Sequence, residues 1–338
     1  MWEFDMMWLA MAFCGGMFGA AVGALPSFVF CGFGAILAGA VGMVDEGMAT
    51  QINLWVTWGP LVGPQCAFAG GCCAAIYAKR IGVHENGRDI CTALMGLRRP
   101  DVLLVGGIFG AIGALVTLGV WKIGGFNHAV AGNVQWGNEI AWGVAITMML
   151  GRLAFGQTGL FGKVSSGVRR WVGNENACWL PWQHDIGMIM LIAIAVALPS
   201  AVLAEKFPQT NFLIFGICTI VFAFMVLGMK VPAMHHFAIT AFFATSMTGD
   251  VAWGVAAAVT VGFVCEICAF LFTAHGDSHI DPPTLAIGIV GLLQSLLIYL
   301  GVMTPKSGNT IEGIIALAVV IVAMPLLLTG LRKLPAKA

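Results

Sequence analysis

Charge is scarce in this chain. Lys, Arg, Asp and Glu make up 9% of its 338 residues, where soluble domains carry about a quarter. So few charged groups cannot cover the surface of a soluble protein of this size. Basic tracts of the kind that hold nucleic acid are missing, which excludes DNA and RNA as partners. Lys+Arg and Asp+Glu both total 16, so net charge points to no partner. No phosphate-cradling glycine loop, serine nucleophile elbow or dinucleotide fingerprint occurs, and the common soluble enzyme classes fall away. No nucleotide-binding domain is present, so ATP-driven work would need a separate subunit. The start, Met1-Trp2-Glu3-Phe4-Asp5, is acidic rather than basic. The first apolar run is therefore expected to be retained and not cleaved as a signal peptide. A disulfide framework is not expected either. Of ten cysteines, Cys14, Cys31, Cys66, Cys72, Cys73, Cys218, Cys265 and Cys268 sit in apolar runs, where a free thiol acts as a small hydrophobe.

What the chain does have is apolar length. Hydrophobic residues make up 59% and the mean hydropathy is +0.92. Apolar runs place eleven candidate spans, at about 7–25, 27–44, 57–78, 101–121, 139–157, 184–205, 211–229, 232–249, 251–274, 283–303 and 310–331. No period-two barrel pattern occurs, and a bilayer then leaves only helices. The expected class is an all-α polytopic membrane protein in a prokaryotic cytoplasmic membrane, with lipid as its surroundings. With the N-terminus outside, Lys79, Arg80, Arg88, Arg98, Arg99, Lys163, Arg169, Arg170, Lys230, Arg332, Lys333 and Lys337 fall inside. Only Lys122, Lys206 and Lys306 fall outside. The positive-inside rule then puts the C-terminus in the cytoplasm.

Two stretches resemble each other. Trp253-Gly254 leads through an apolar run to His275-Gly-Asp277-Ser-His279-Ile-Asp281, 28 residues from Trp to Asp. Trp58-Gly59 leads to His84-Glu85-Asn-Gly-Arg88-Asp89, 31 residues from Trp to Asp. Thr92 and Thr284 each stand three residues after their Asp, and Cys73 and Cys268 each 15 after their Trp. The reading is an internal duplication. Residues 1–157 form one five-helix repeat and 211–338 the other, with 158–210 as linker and connecting helix. An even offset of spans makes the repeats parallel. The polar segment 158–183 holds Lys163, Arg169, Arg170, Trp171, Trp179 and Trp182. It is expected to lie on the cytoplasmic face as an amphipathic piece or a plain linker. Glycines spaced four apart, such as Gly15 and Gly19 or Gly106 and Gly110, are expected to bring helices close and favour a homo-oligomer. Pro60, Gly63 and Pro64 mark the best place for a broken helix.

Ionisable groups within spans are costly, so each is a functional candidate. Glu266 lies fifteen residues into its span, roughly 12 Å from the nearer end at 1.5 Å per residue. It is expected to carry a proton or a cation. Gln65, His235 and His236 are candidates to meet a polar solute or relay protons. Asp281 before Pro282 reads as a helix cap, with Thr284 in the first turn, and Asp89 with Thr92 is expected to open a short helix likewise. Such helix starts would offer partial positive charge to a solute. Arg152, near the end of its span, is expected to snorkel to headgroups. The alternating His275, Asp277, His279 and Asp281 complete no known metal site, and neither metal nor cofactor is expected.

The string Asp277-Ser-His279-Ile-Asp281-Pro282-Pro283-Thr284 resembles the His-Pro-Pro signature of the HPP family of integral membrane proteins, with Asp281 where that family has His. The resemblance covers about ten residues and implies a small-anion permease. The expectation overall is a secondary transporter or channel for a small polar or ionic solute. A membrane-embedded scaffold subunit is the alternative, and an intramembrane enzyme a third reading.

Overall fold

The computed structural model describes residues 5–123, 138–173, 178–304 and 310–336. Lys306, Lys337 and the acidic start at residues 1–4 lie outside the described residues. Every regular element described is helical. In order they are α1 (Met6–Val22), α2 (Ala24–Gly42), α3 (Glu46–Ile52, continued as a π-turn to Thr57), α4 (Ala67–Arg80) and α5 (Pro100–Lys122). Then come α6 (Glu139–Phe155), α7 (Ile186–Lys206), α8 (Leu213–Ile220), α9 (Phe222–Val226) and α10 (His235–Thr248). Last are α11 (Val251–Cys268, continued as a π-turn to Thr273), α12 (Pro282–Tyr299) and α13 (Ile311–Arg332). Scarce acids are used at helix starts. Asp5, Asp45, Asp185, Asp250 and Asp281 each accept a backbone N–H of the turn that follows, which satisfies groups the helix itself leaves open. Gly23, at φ +100°, turns the chain from α1 into α2 in one residue, a conformation that glycine adopts without steric cost.

Seven helical segments are long and apolar enough to cross a membrane, and the chain is a membrane protein. The other four of the eleven expected spans coincide with α1, α4, α6 and α10, of 17, 14, 17 and 14 residues. At 1.5 Å per residue a 14-residue helix is about 21 Å long, less than a hydrocarbon core. The expected span 57–78 is thus broken. Helix is absent from 58–66, around Pro60, Gly63 and Pro64, and resumes only at Ala67.

Two helix groups have matching arrangements. In the first, α1, α4 and α5 pack on one another and α6 packs on α4 and α5. In the second, α7, α10 and α11 pack on one another and α12 packs on α10 and α11. Across the molecule, α2 lies against α8 and α6 against α12. Both cross-pairs are antiparallel. Gly32 of α2 meets Gly216 of α8, and Gly39 meets Leu213, while Trp142 of α6 meets Gly288 of α12. The expected connecting helix, α7, packs on α10 and α11 as α1 packs on α4 and α5. It also runs opposite to α1. The α1 end lies near the turn where Leu25 donates to Ile90. The turn before α7, at His184, is tied to Arg332 on the same face, where Leu25, Ile90, Trp179 and Trp182 line one cavity. That face, which also carries Arg80 and Arg88, is called the basic face below. The α13 helix packs chiefly on α11, and few of its residues are fully buried.

The glycines of the first group set helix distance, as their spacing implied. Gly16 sits where α1, α4 and α5 meet, and a Cβ there would overlap the carbonyl oxygen of Gly106. Backbone cannot yield as a flexible side chain can. Gly16→Ala is expected to destabilise by about 2 kcal/mol, read as an earlier midpoint when the detergent-purified protein is unfolded with SDS. An unchanged midpoint would mean that the three helices are not packed this closely.

Candidate functional site

Four helices begin inside the molecule. Gln65 lies against Gly113, thirteen residues into α5 and so about 20 Å along a helix of about 34 Å. The α4 helix therefore starts near mid-depth and runs to the basic face. Phe237 lies against Gly262, eleven residues into α11, so α10 also starts near mid-depth and runs the other way. The α12 helix begins beside the middle of α6, where the Asp281 N–H points to Met148 Sδ at 3.3 Å. The antiparallel α6 in turn begins beside the middle of α12. Asn138 caps α6 through Ala141 N–H, and Asp281 caps α12 through Thr284 N–H at 2.9 Å. No side chain caps α4 or α10; backbone carbonyls serve instead, with Ala67 N–H on Gly63 O, Ala69 N–H on Pro64 O and Phe237 N–H on Met234 O, which leaves the positive end of each helix dipole near mid-depth.

These starts surround a waist of about 40 Å³, little more than one water's share of liquid volume. Pro64 and Phe68 line it from the start of α4, Asn138 and Ala141 from α6, His235 and Ile239 from α10, and Asp281 and Thr284 from α12. Aromatic rings close in around His235. Its ring lies 5.2 Å from Phe28, 5.3 Å from Phe222 and 5.9 Å from Phe215. The waist shares wall residues with two larger cavities. One, of about 260 Å³, lies toward the basic face and shares Phe28, Phe68, His235 and Asp281 with it. The other, of about 210 Å³, lies toward the opposite face and shares Trp58, Asn138, Ile140, Ile239 and Ile287. The two cavities and the waist lie one after another and share walls, an hourglass in outline.

The residues expected to form the site divide. His235, Asp281 and Thr284 line the waist. Asp281 is buried, held by His279 Nε2 at 3.1 Å and by Thr284 N–H. Gln65 is fully buried in the broken segment, donating to Trp58 O at 2.7 Å, and it holds the break rather than lining the hourglass. His236 turns away to stack on Phe237, ring centres 4.0 Å apart. Glu266 was expected as a lone carboxylate on a solute path. It is instead paired, 2.8 Å from His184 Nδ1 and 3.4 Å from Arg332, and lines neither the waist nor the two larger cavities. It ties α11 to α13 and to the turn before α7. Asp89 does not open a helix. It closes a turn, accepting from Cys91 N–H and from Thr92 N–H and hydroxyl, while the next helical turn waits until Leu94. Burial alone would raise the Asp89 carboxyl, but these donors and His84 outweigh it and hold it below the usual range. Thr92 is exposed there.

Arg152 does not snorkel. It is 1% exposed and donates to Ser278 Oγ at 2.7 Å, Leu160 O at 3.0 Å and the carbonyls of Phe272 and Ser278. The residues of the His-Asp string also part company. His275 faces Arg170 O and is lowered by burial. Asp277 accepts from Gln157 N–H and the Thr158 hydroxyl. Burial would raise its carboxyl, but those bonds and Arg152 hold it low. No cluster of three or more metal-ligating side chains occurs among the described residues. The segment from 158 also differs from a surface-lying piece. Its Trp179, Leu180 and Trp182 line the cavity toward the basic face, and Gln183 exchanges hydrogen bonds with Ala233 at the break before α10.

Sequence reasoning missed Phe28, Phe68, Phe215 and Phe222, since nothing marks four phenylalanines among 22 in apolar runs. It also missed Asn138, which was legible as a cap directly before a span. The sequence pattern of a family of unknown function (DUF7973) matches twice, over residues 1–171 and 169–311. No curated protein and no solved structure gives a significant match.

Proposed function

The chain belongs to this family of unknown function, and we propose from its geometry that it passes a small polar solute across a membrane. The observation that carries the reading is the hourglass. Two cavities on opposite sides of mid-depth meet at a waist lined by four helix starts. Interrupted helices whose N-termini meet a solute at the midplane are how transporters hold polar groups within lipid.

The proposal includes a duplication in a new register. The helices α1, α2, α4, α5 and α6 correspond to α7, α8, α10, α11 and α12, with α13 added outside both copies. Supporting it are the matching packing of the two groups, the equal 14-residue lengths of α4 and α10 and the two stretches matched by the family pattern. Each copy then crosses five times, so the copies are inverted and not parallel. A rocking of one group on the other would widen one cavity and narrow its counterpart. Placing the basic face in the cytoplasm follows the positive-inside rule and leaves the N-terminus outside.

The test is solute flux into liposomes holding the purified protein, with urea, uracil, glycerol and nitrite as a panel. At least one should enter faster than into empty vesicles. If none does, the transport reading falls. Nitrite alone entering would favour the anion permease that the His-Pro-Pro resemblance implies.

A further inference from the structure

The cavity toward the face opposite the basic one carries three unmet dipoles. Asn53 Oδ1, Thr240 Oγ1 and Gln294 Nε2 are buried and have no hydrogen-bond partner among the described residues, and all three residues line this one cavity. Thr240 and Gln294 are 2% and 4% exposed. Thr240, like Thr147 of α6, departs from the habit of most helical threonines here. Thr117, Thr219, Thr248 and Thr260 each turn the hydroxyl back to the carbonyl four residues before, whereas Thr240 does not. Leaving a buried polar atom unmet is costly. Three around one space are explained by a molecule that meets them.

The wall says what kind. As assigned, Gln294 offers an N–H, Asn53 a carbonyl and Thr240 a hydroxyl that serves either way. Among the described residues no Lys, Arg or His lines the cavity, and Glu139 does, so an anion is disfavoured. A cation would leave the Gln294 N–H unmet. Trp58, Phe212 and Phe243 form an aromatic wall, with ring centres 5.2 Å and 5.8 Å apart from Trp58 to Phe212 and from Phe212 to Phe243. The volume of about 210 Å³ equals about seven waters at their liquid share.

We propose that this cavity binds an uncharged, small, planar solute presenting an amide-like N–H and C=O. The transport reading explains why such a solute reaches the cavity, but binding can be measured without it. Calorimetry on the detergent-purified full chain would use uracil as probe, with benzoate and tetramethylammonium as charged counterparts. Uracil should bind, and the charged pair should bind at least about tenfold more weakly. Thr240→Val and Gln294→Leu, close in shape, should each weaken uracil about tenfold, the loss of one hydrogen bond. Neither variant should lower the unfolding midpoint, because each replaces an unmet polar group with an apolar one. The proposal is overturned if uracil does not bind, if both variants bind it as wild type does, or if a charged counterpart binds better. Binding with no flux in liposomes would instead count against the transport reading alone.

Discussion

Replacing Arg152 with leucine is expected to destabilise the protein by about 3 kcal/mol, among the largest effects of any single substitution. The guanidinium reaches from the end of α6 to the turn between α11 and α12, serving Leu160, Phe272 and Ser278. Removing it strips donors from three carbonyls and a hydroxyl, at about 1–3 kcal/mol for each group left buried and unmet. Removing a buried charge also recovers its desolvation cost, which offsets part of that sum. Arg152→Lys should recover only a fraction, because an ammonium cannot reproduce a planar fork of donors. SDS unfolding measures both variants, and faster proteolysis in the turn at 274–281 should accompany the loss. A leucine variant with the wild-type midpoint would show that this turn is held by other contacts. The turn carries Asp281 into the waist and His279 into the cavity toward the basic face, so flux should fall with it.

Occluding the waist should have the largest effect on transport. Ala141 lines it and is 4% exposed. Ala141→Trp places an indole where about 40 Å³ is free. A solute would then have to push the ring aside, an added barrier of about 3 kcal/mol, or about 100-fold in rate. Ala141→Ser adds one oxygen and should leave flux near wild type. The assay is liposome uptake of whichever solute the wild type carries, with monodisperse elution confirming that the tryptophan variant is folded. Flux within twofold of wild type in such a folded variant would mean that solute does not pass between these helix starts.

Each half of the hourglass was differently legible in the sequence. Asp281 before Pro282 announces a helix start by local chemistry alone, and α12 does begin there with that carboxylate on its first turn. The break around Pro60 to Pro64 was equally plain, because proline and glycine interrupt helices whatever surrounds them. Glu266 shows the limit. Its rarity marked it, but its partners, His184 and Arg332, are 82 and 66 residues away. Only packing reveals that the carboxylate is a tie. The two Trp-to-Asp stretches share spacing, while α4 packs on α1, α5 and α6 and α11 packs on α7, α10, α12 and α13, a difference that spacing cannot express.

By itself the sequence determined that this is a helical membrane protein, because scarce charge and long apolar runs leave no other way to satisfy the backbone in lipid. It determined the helix break between Pro60 and Pro64 and the Asp281 cap of α12, because those are effects within one turn. The tertiary structure decided which helices pack together. It also decided which buried polar groups are paired and which are left open to a solute. Those outcomes depend on contacts between residues far apart in the chain, and an apolar run reads the same whether it faces lipid, a neighbouring helix or a cavity.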